Sequence, residues 1–241
     1  MSVSLTNRNA SSLIDDVSID DDEDKGHPIL FNNQEIRQML DLARVGSADI
    51  FYDLGSGWGQ NLIIAITEFH VKRAVGIEKD RERHDVCVER LQTWKIPSSR
   101  GTVLLEDFDK LLAGRVKGAN LGEATVVFYG LSTGRLIIDR LRRHLKRASR
   151  LIYYYNCLFP EIMPDRVEFP FYMSVAPFRR PRSQSEWLSA IIRKKKSSVA
   201  PGKRPGLDEL WYELAHDYDV NRIRDRIDDY ENRLKKTLGS S

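Results

Sequence analysis

The chain has 241 residues, 41% of them hydrophobic, and two cysteines, Cys87 and Cys157, that make no CxxC pair. This length holds one domain with appendages or two small ones. No apolar run approaches the roughly 18 residues of a membrane helix, no apolar stretch near the first methionine reads as a secretory signal, and the cysteine pattern argues against a disulfide framework or a zinc site. The expected location is therefore cytoplasmic or nucleoid- and chromatin-associated. The net charge of +3 divides unevenly, with 2 basic and 7 acidic residues over 1–27 (−5) against 36 basic and 28 acidic over the remainder (+8). A basic body behind an acidic tail suits a polyanionic neighbour such as nucleic acid or chromatin, although many soluble domains share this balance without one.

Residues 1–27 are rich in Ser, Asn and Asp and read as a disordered acidic tail. Asn32 or Asn33 then offers an N-cap to a helix whose Ile36, Met39, Leu40 and Ala43 share one face, and Gly46-Ser47 stops it. Ile50-Phe51-Tyr52 reads as a strand buried on both faces. It runs into Asp53-Leu54-Gly55-Ser56-Gly57-Trp58-Gly59-Gln60, and a helical pattern follows at Leu62–Phe69. Glycines here allow positive φ and a close approach of ligand to main chain, and the helix start leaves amide donors unpaired. Taken alone, the loop fits any nucleotide-like cofactor; S-adenosylmethionine is the sharper reading.

The pattern continues with a second strand, Arg73–Glu78, and a helix over 81–94 with Val86, Val88, Leu91 and Trp94 as apolar members. Glu78 stands 23 residues after Gly55 at a strand tip, where a carboxylate about 20 residues on takes ribose hydroxyls. Thr102–Leu105 is a third strand, followed by Glu106-Asp107-Phe108, an acid to accept from an adenine amine and an aromatic ring to cover its face. Thr125–Tyr129 and Arg150–Tyr155 are further strands. Between them lies a helix with Leu136, Ile137, Leu141 and Leu145 inside and Arg140, Arg142, Arg143, Lys146 and Arg147 outside. Val167–Val175 suits strands added at the sheet edge. Alternating strands and helices predict an α/β, Rossmann-like seven-stranded sheet with helices on both faces and ligands at the strand carboxyl ends. A helical C-terminal extension at 207–241 follows a basic linker at 181–206, so that the core domain spans 28–180. Ile223, Ile227, Tyr230 and Leu234 in the last helix suit either packing on the domain or self-association.

From about Ile36 to Tyr155 the chain resembles the class I S-adenosylmethionine-dependent methyltransferases, and within them the Dot1-like protein lysine methyltransferases, including compact archaeal members. The Asp53–Gln60 loop carries the resemblance, with Gln38-Met39-Leu40-Asp41 before it, Val75-Gly76-Ile77-Glu78-Lys79 and Asp107-Phe108. It implies S-adenosylmethionine as cofactor, held by Phe31, Asp53, Gly55, Ser56, Gly57, Gln60, Glu78, Lys79, Asp107, Phe108 and Tyr129, with no metal. It also implies transfer to lysine of a basic, DNA- or chromatin-associated protein. The chain departs from the family at Pro28-Ile29-Leu30-Phe31, where a Tyr-Gly-Glu-Thr loop is usual, and at Gly130-Leu131, where an Asn-Asn pair is usual.

Desolvation by an apolar, aromatic channel would favour a neutral lysine amine. Phe31, Tyr129, Tyr153 to Tyr155, Phe159 and Tyr172 are available, with Tyr129 and Tyr172 the expected catalytic pair by position. No Asp/Asn-Pro-Pro-aromatic motif follows Tyr129, which disfavours amino methylation of adenine or glutamine. Two alternatives stay open: an RNA methyltransferase, with Lys/Arg loops 179–204 on substrate phosphates, and a catalytically weak adaptor that binds the cofactor.

Overall fold

The computed structural model describes residues 31–130, 137–154, 162–168, 171–183, 186, 187, 189 and 190. The acidic tail, Leu131, Leu136, Tyr155, Cys157, Phe159, the 191–206 stretch of the linker and the C-terminal extension lie outside these residues, as do the expectations attached to them.

Helix α1 (Asn33–Leu42) opens with a reciprocal capping box: the Asn32 side chain accepts from the Glu35 amide, and Glu35 accepts from the Asn32 amide. Its last turn has no basic residue of its own. Instead Arg166 donates to the Leu42 carbonyl, and Arg150 to those of Ala43 and Arg44. Cations at a helix C-terminus complement its dipole, so these two arginines tie the end of α1 to β5 and to the edge strand β6.

Strands β1 (Ile50–Leu54), β2 (Arg73–Glu78), β3 (Gly101–Leu105), β4 (Val126–Tyr129), β5 (Arg150–Tyr154), β6 (Arg166–Glu168) and β7 (Phe171–Val175) form one sheet in the order β3-β2-β1-β4-β5-β7-β6. The first five strands are parallel, and β7 runs antiparallel to both β5 and β6. The order reverses between β1 and β4, which is where an open α/β sheet forms its crevice. The aromatic 167–175 stretch thus contributes the antiparallel strand pair β6 and β7 at the sheet edge, as its composition suggested.

Alternation of side chains along each strand sorts the core into two layers. Helices α1, α2 (Gln60–Thr67) and α3 (Arg81–Thr93) cover the layer that includes Phe51, Ala74, Phe128, Ile152 and Phe171. Helices α4 (Phe108–Leu112) and α5 (Ile137–His144) cover the other, with Tyr52, Leu54, Tyr129, Tyr153 and Tyr172. Two details depart from the sequence reading. The buried anchors of α3 are Cys87 and Leu91, with Val86 and Val88 only partly covered, and the helix α4 directly after Asp107 was not anticipated.

Candidate active site

The turn after β1 folds back on β2. The amides of Gly55 and Ser56 both donate to the Ile77 carbonyl, at 2.9 and 3.1 Å. Gly55, Gly57 and Gly59 all have positive φ, at 89°, 53° and 79°. Two of the glycines along this crevice are also demanded by space. A Cβ on Gly59 would overlap the Cys87 sulfur, and one on Gly76 would stand 2.5 Å from Ser56 Oγ. A Cβ built on Gly57 would meet nothing within 4 Å, so that side of the turn is open. Cys87 is a packing residue beneath the loop, its thiol pushed up to about 12 by burial first and by nearby Asp53 next.

Glu78 is buried and fixed at both carboxylate oxygens. Oε2 accepts from the Gly57 amide at 2.7 Å and Oε1 from the Asp80 amide at 2.9 Å. Each oxygen keeps a further lone pair for a hydroxyl donor. The main chain of Glu106 bonds to the Glu78 carbonyl at 2.9 Å, which brings Asp107 and Phe108 beside the β2 tip. Asp107 caps α4 by accepting from the Asp109 amide at 2.8 Å, and Phe108 meets Tyr129 edge-on at 6.0 Å. Lys79 is exposed at the rim.

Asp53 is fully buried, and Asn61 donates to its Oδ2 at 3.0 Å. Its Oδ1 and the neighbouring Ser56 Oγ are buried and receive no hydrogen bond. Loss of solvation pushes the carboxyl pKa up to about 8; the Asn61 bond opposes this, and the charge of Glu78 adds to it. A native protein rarely leaves such acceptors unsatisfied without a use. Two buried acceptors beside a glycine turn open to solvent fit the polar, cationic amino-acid end of S-adenosylmethionine.

Three expected site residues take different places. Gln60 turns away from the crevice: its amide donates to Asn33 Oδ1 and its carbonyl accepts from Arg90, whose other nitrogen donates to the Trp58 carbonyl at 2.9 Å. Arg83 also lies over the Trp58 ring, 5.6 Å from its centre. Gln60 therefore positions the loop between α1 and α3. Tyr129 and Tyr172 are buried in the α4–α5 layer, on the face opposite Asp53 and Glu78. In register across the sheet run Ile77, Leu54, Tyr129, Tyr153 and Tyr172. Tyr153 stacks on Tyr172 at 5.5 Å, and Tyr172 meets Trp187 at 5.6 Å. The expected catalytic pair belongs to the core because the alternation of β4 and β7 turns these rings inward.

On the Asp53 face, the corresponding aromatic group is Phe31, Phe128, Tyr154 and Phe171. Phe31 stands 5.8 Å from Phe128, 5.0 Å from Tyr154 and 5.1 Å from Phe171. Gly130 makes room for this cluster: a Cβ there would lie 3.0 Å from the Phe128 ring and 3.9 Å from Phe31. A larger residue after β4 would need the Phe128 ring to shift by a few tenths of an ångström. Phe128 and Phe171 were missed in the sequence because their facing depends on strand register.

A seven-stranded sheet of this order, with a glycine turn after β1 and acids at the tips of β2 and β3, defines a class I S-adenosylmethionine-dependent methyltransferase. The family model of histone methylation protein DOT1 matches residues 31–95. A protein-lysine N-methyltransferase of Saccharolobus islandicus (strain REY15A) is 31% identical over 119 residues, which is 48% of this chain and 68% of that protein. Among solved structures, an RNA methyltransferase from Salinibacter ruber in complex with S-adenosyl-L-homocysteine has the same fold. Its TM-score is 0.55 and its identity 24%, with 65% of this chain and 99% of that chain covered. The chain belongs to the Dot1-like methyltransferases, and it is an S-adenosylmethionine-dependent enzyme. Among the described residues, no group of His, Cys, Asp and Glu could hold a metal, and no helix is long and apolar enough to cross a membrane.

Proposed function

We propose that the enzyme methylates the ε-amine of a lysine in a basic, DNA- or chromatin-associated protein. The observation that carries this reading is the aromatic cluster Phe31–Phe128–Tyr154–Phe171 at the strand carboxyl ends, on the same face as Asp53. The lysine methyltransferase at 31% identity supports the choice of acceptor.

When bound, S-adenosylmethionine supplies a sulfonium methyl group for in-line displacement by the amine nitrogen. The residues of this chain bind and orient. Asp53 and Ser56 carry the unsatisfied acceptors for the amino-acid end. Gly55 and Gly57 admit the ligand to the main chain, and Gln60 holds that turn in place from behind. Glu78, already aimed by two amides, takes the ribose hydroxyls. Asp107 and Phe108 would hold the adenine, with Lys79 exposed at the rim. Phe31 borders the cluster on the α1 side.

The acceptor needs a neutral amine, whereas a free lysine holds its proton up to a pKa of about 10.4. Rings without carboxylates disfavour the ammonium by desolvation, so the proton leaves to solvent before the nitrogen reaches the cluster. The cluster also excludes water from the reacting atoms.

Labelled methyl transfer from S-adenosylmethionine, offered separately to basic-protein and RNA fractions, tests the proposal, with mass spectrometry of the labelled residue. Label on lysine is the expected result. Label in RNA overturns it in favour of nucleotide methylation. Cofactor binding with no transfer to either fraction overturns it in favour of an adaptor.

A further inference from the structure

One strongly charged surface takes no part in the site above. It consists of the outer side of α5, the turn that follows it, and the segment 179–182 that packs alongside. The two stretches are joined by specific bonds. Arg142 donates to the Phe178 carbonyl at 3.1 Å, and Arg180 pairs with Asp139 at 2.6 Å. Arg140 reaches across to Asp109 of α4. Eight cations gather here: Arg140, Arg142, Arg143, Lys146, Arg147, Arg179, Arg180 and Arg182. The carboxylates among them are Asp109, Asp139 and Glu186, and each is held by arginine.

The ion pairs fix arginines in place, and a positioned guanidinium loses less freedom on binding an anion. Arg143, Lys146 and Arg147 are exposed, and no carboxylate among the described residues forms a salt bridge with their side chains, while Arg182 lies by Glu186. Among the described residues this surface presents no exposed ring to a base. Phe178 and Trp187 are buried, and His144 is turned inward to bond the Leu112 carbonyl. Binding of single strands relies on exposed aromatic side chains for stacking, whereas a cluster of exposed cations on a helix face suits the regular phosphates of a duplex.

We propose that this α5 surface docks the phosphate backbone of duplex DNA, independently of sequence. The surface covers the α4–α5 layer of the sheet, while the glycine turn and the aromatic cluster open on the α1–α3 side. DNA held there leaves the methyl-transfer site free for a protein carried on the same DNA. This rests on the proposed function and deepens it by adding the scaffold on which the lysine substrate would be met.

The test is equilibrium binding of the full chain to a short labelled duplex of random sequence over a series of salt concentrations, without cofactor. The variant is Arg143→Gln/Lys146→Gln/Arg147→Gln. Each phosphate that is no longer neutralised flattens the slope of log K against log salt by about 0.9, so the variant's slope should be shallower by about 3 units and its binding at least roughly tenfold weaker at low salt. S-adenosylmethionine affinity and thermal unfolding should stay as in the parent, which shows that the variant is folded. An unchanged salt slope overturns the proposal, as does a slope that falls only when Lys194, Lys195 and Lys196 are replaced. Preference for single-stranded RNA over the duplex overturns it as well. Transfer to an isolated lysine peptide should be the same in parent and variant. Failure of that transfer in both proteins counts against the acceptor assignment and leaves the DNA result standing.

Discussion

The two faces of the sheet use aromatic residues in opposite ways at the same height. On the α4–α5 face, Tyr129, Tyr153 and Tyr172 stand in one register row and are buried to within 1%. Beneath that row, Tyr52 bonds Glu123 and the Asn120 amide, and its hydroxyl is pushed up to about 12, chiefly by burial. On the α1–α3 face, Phe128 and Phe171 are also buried, but they border Phe31 and Tyr154, which keep partial exposure, and Gly130. Asp53 and Ser56 on that side retain unsatisfied oxygens. Among the described residues, the tyrosine row is closed on its face, whereas the other face keeps partly exposed rings and unmade bonds. Residue type alone therefore does not mark a site; what marks it is the packing left incomplete around the residue.

The contrast between the faces meets its most severe test at Tyr172. Truncation to alanine should cost about 3–5 kcal/mol of stability, as for other large aromatic core residues. Denaturant unfolding measures the loss. Cofactor affinity of the molecules still folded should not change, and a selective loss of affinity would return Tyr172 to the site.

Glu78→Gln, by contrast, should reach cofactor binding. It keeps the shape but removes the charge that orders the Gly57 amide, a charge-assisted bond worth about 1.5–3 kcal/mol. S-adenosylmethionine binding by calorimetry should weaken about tenfold to a hundredfold, and because the glutamine NH2 cannot accept from the Gly57 or Asp80 amide, unfolding should also lose up to about 1.5–3 kcal/mol.

Asp53 extends the contrast to pH. Its folded pKa, near 8, lies above the ordinary value of 3.8, so the folded chain holds a proton that the unfolded chain releases. Its contribution to stability is complete below pH 4 and is lost as pH rises towards 8. The slope is at most about 1.4 kcal/mol per pH unit. Asp53→Asn should remove this decline in the protein without cofactor, and so raise the melting temperature at pH 8 relative to the parent while weakening cofactor binding. A parent protein whose stability is flat between pH 4 and 8, with no gain from the substitution, would show that Asp53 is already ionised.

Much of this architecture was legible in the sequence. The β2 bounds, the glycine turn, Glu78, the Asp107-Phe108 pair and the Asn32 cap follow from local chemistry: apolar runs, acids at strand tips and glycines where the chain must turn. Arg90 and Asn33, which clamp Gln60, gave no such signal, because they lie 30 and 27 residues away from it. The exchange of roles between Tyr129 with Tyr172 and Phe128 with Phe171 was equally hidden. A shift of one residue in strand alternation moves a ring from one face to the other.

Short-range patterns of apolar, glycine and acidic residues were enough to set the class of fold, and the family resemblance carried by the Asp53–Gln60 loop implied the cofactor. Tertiary structure was needed to establish which aromatics face the crevice, that Gly130 packs against the Phe128 ring, and that the arginines of α5 form one surface with residues 179–182. Those depend on register and on bonds between distant segments, and no local pattern encodes either.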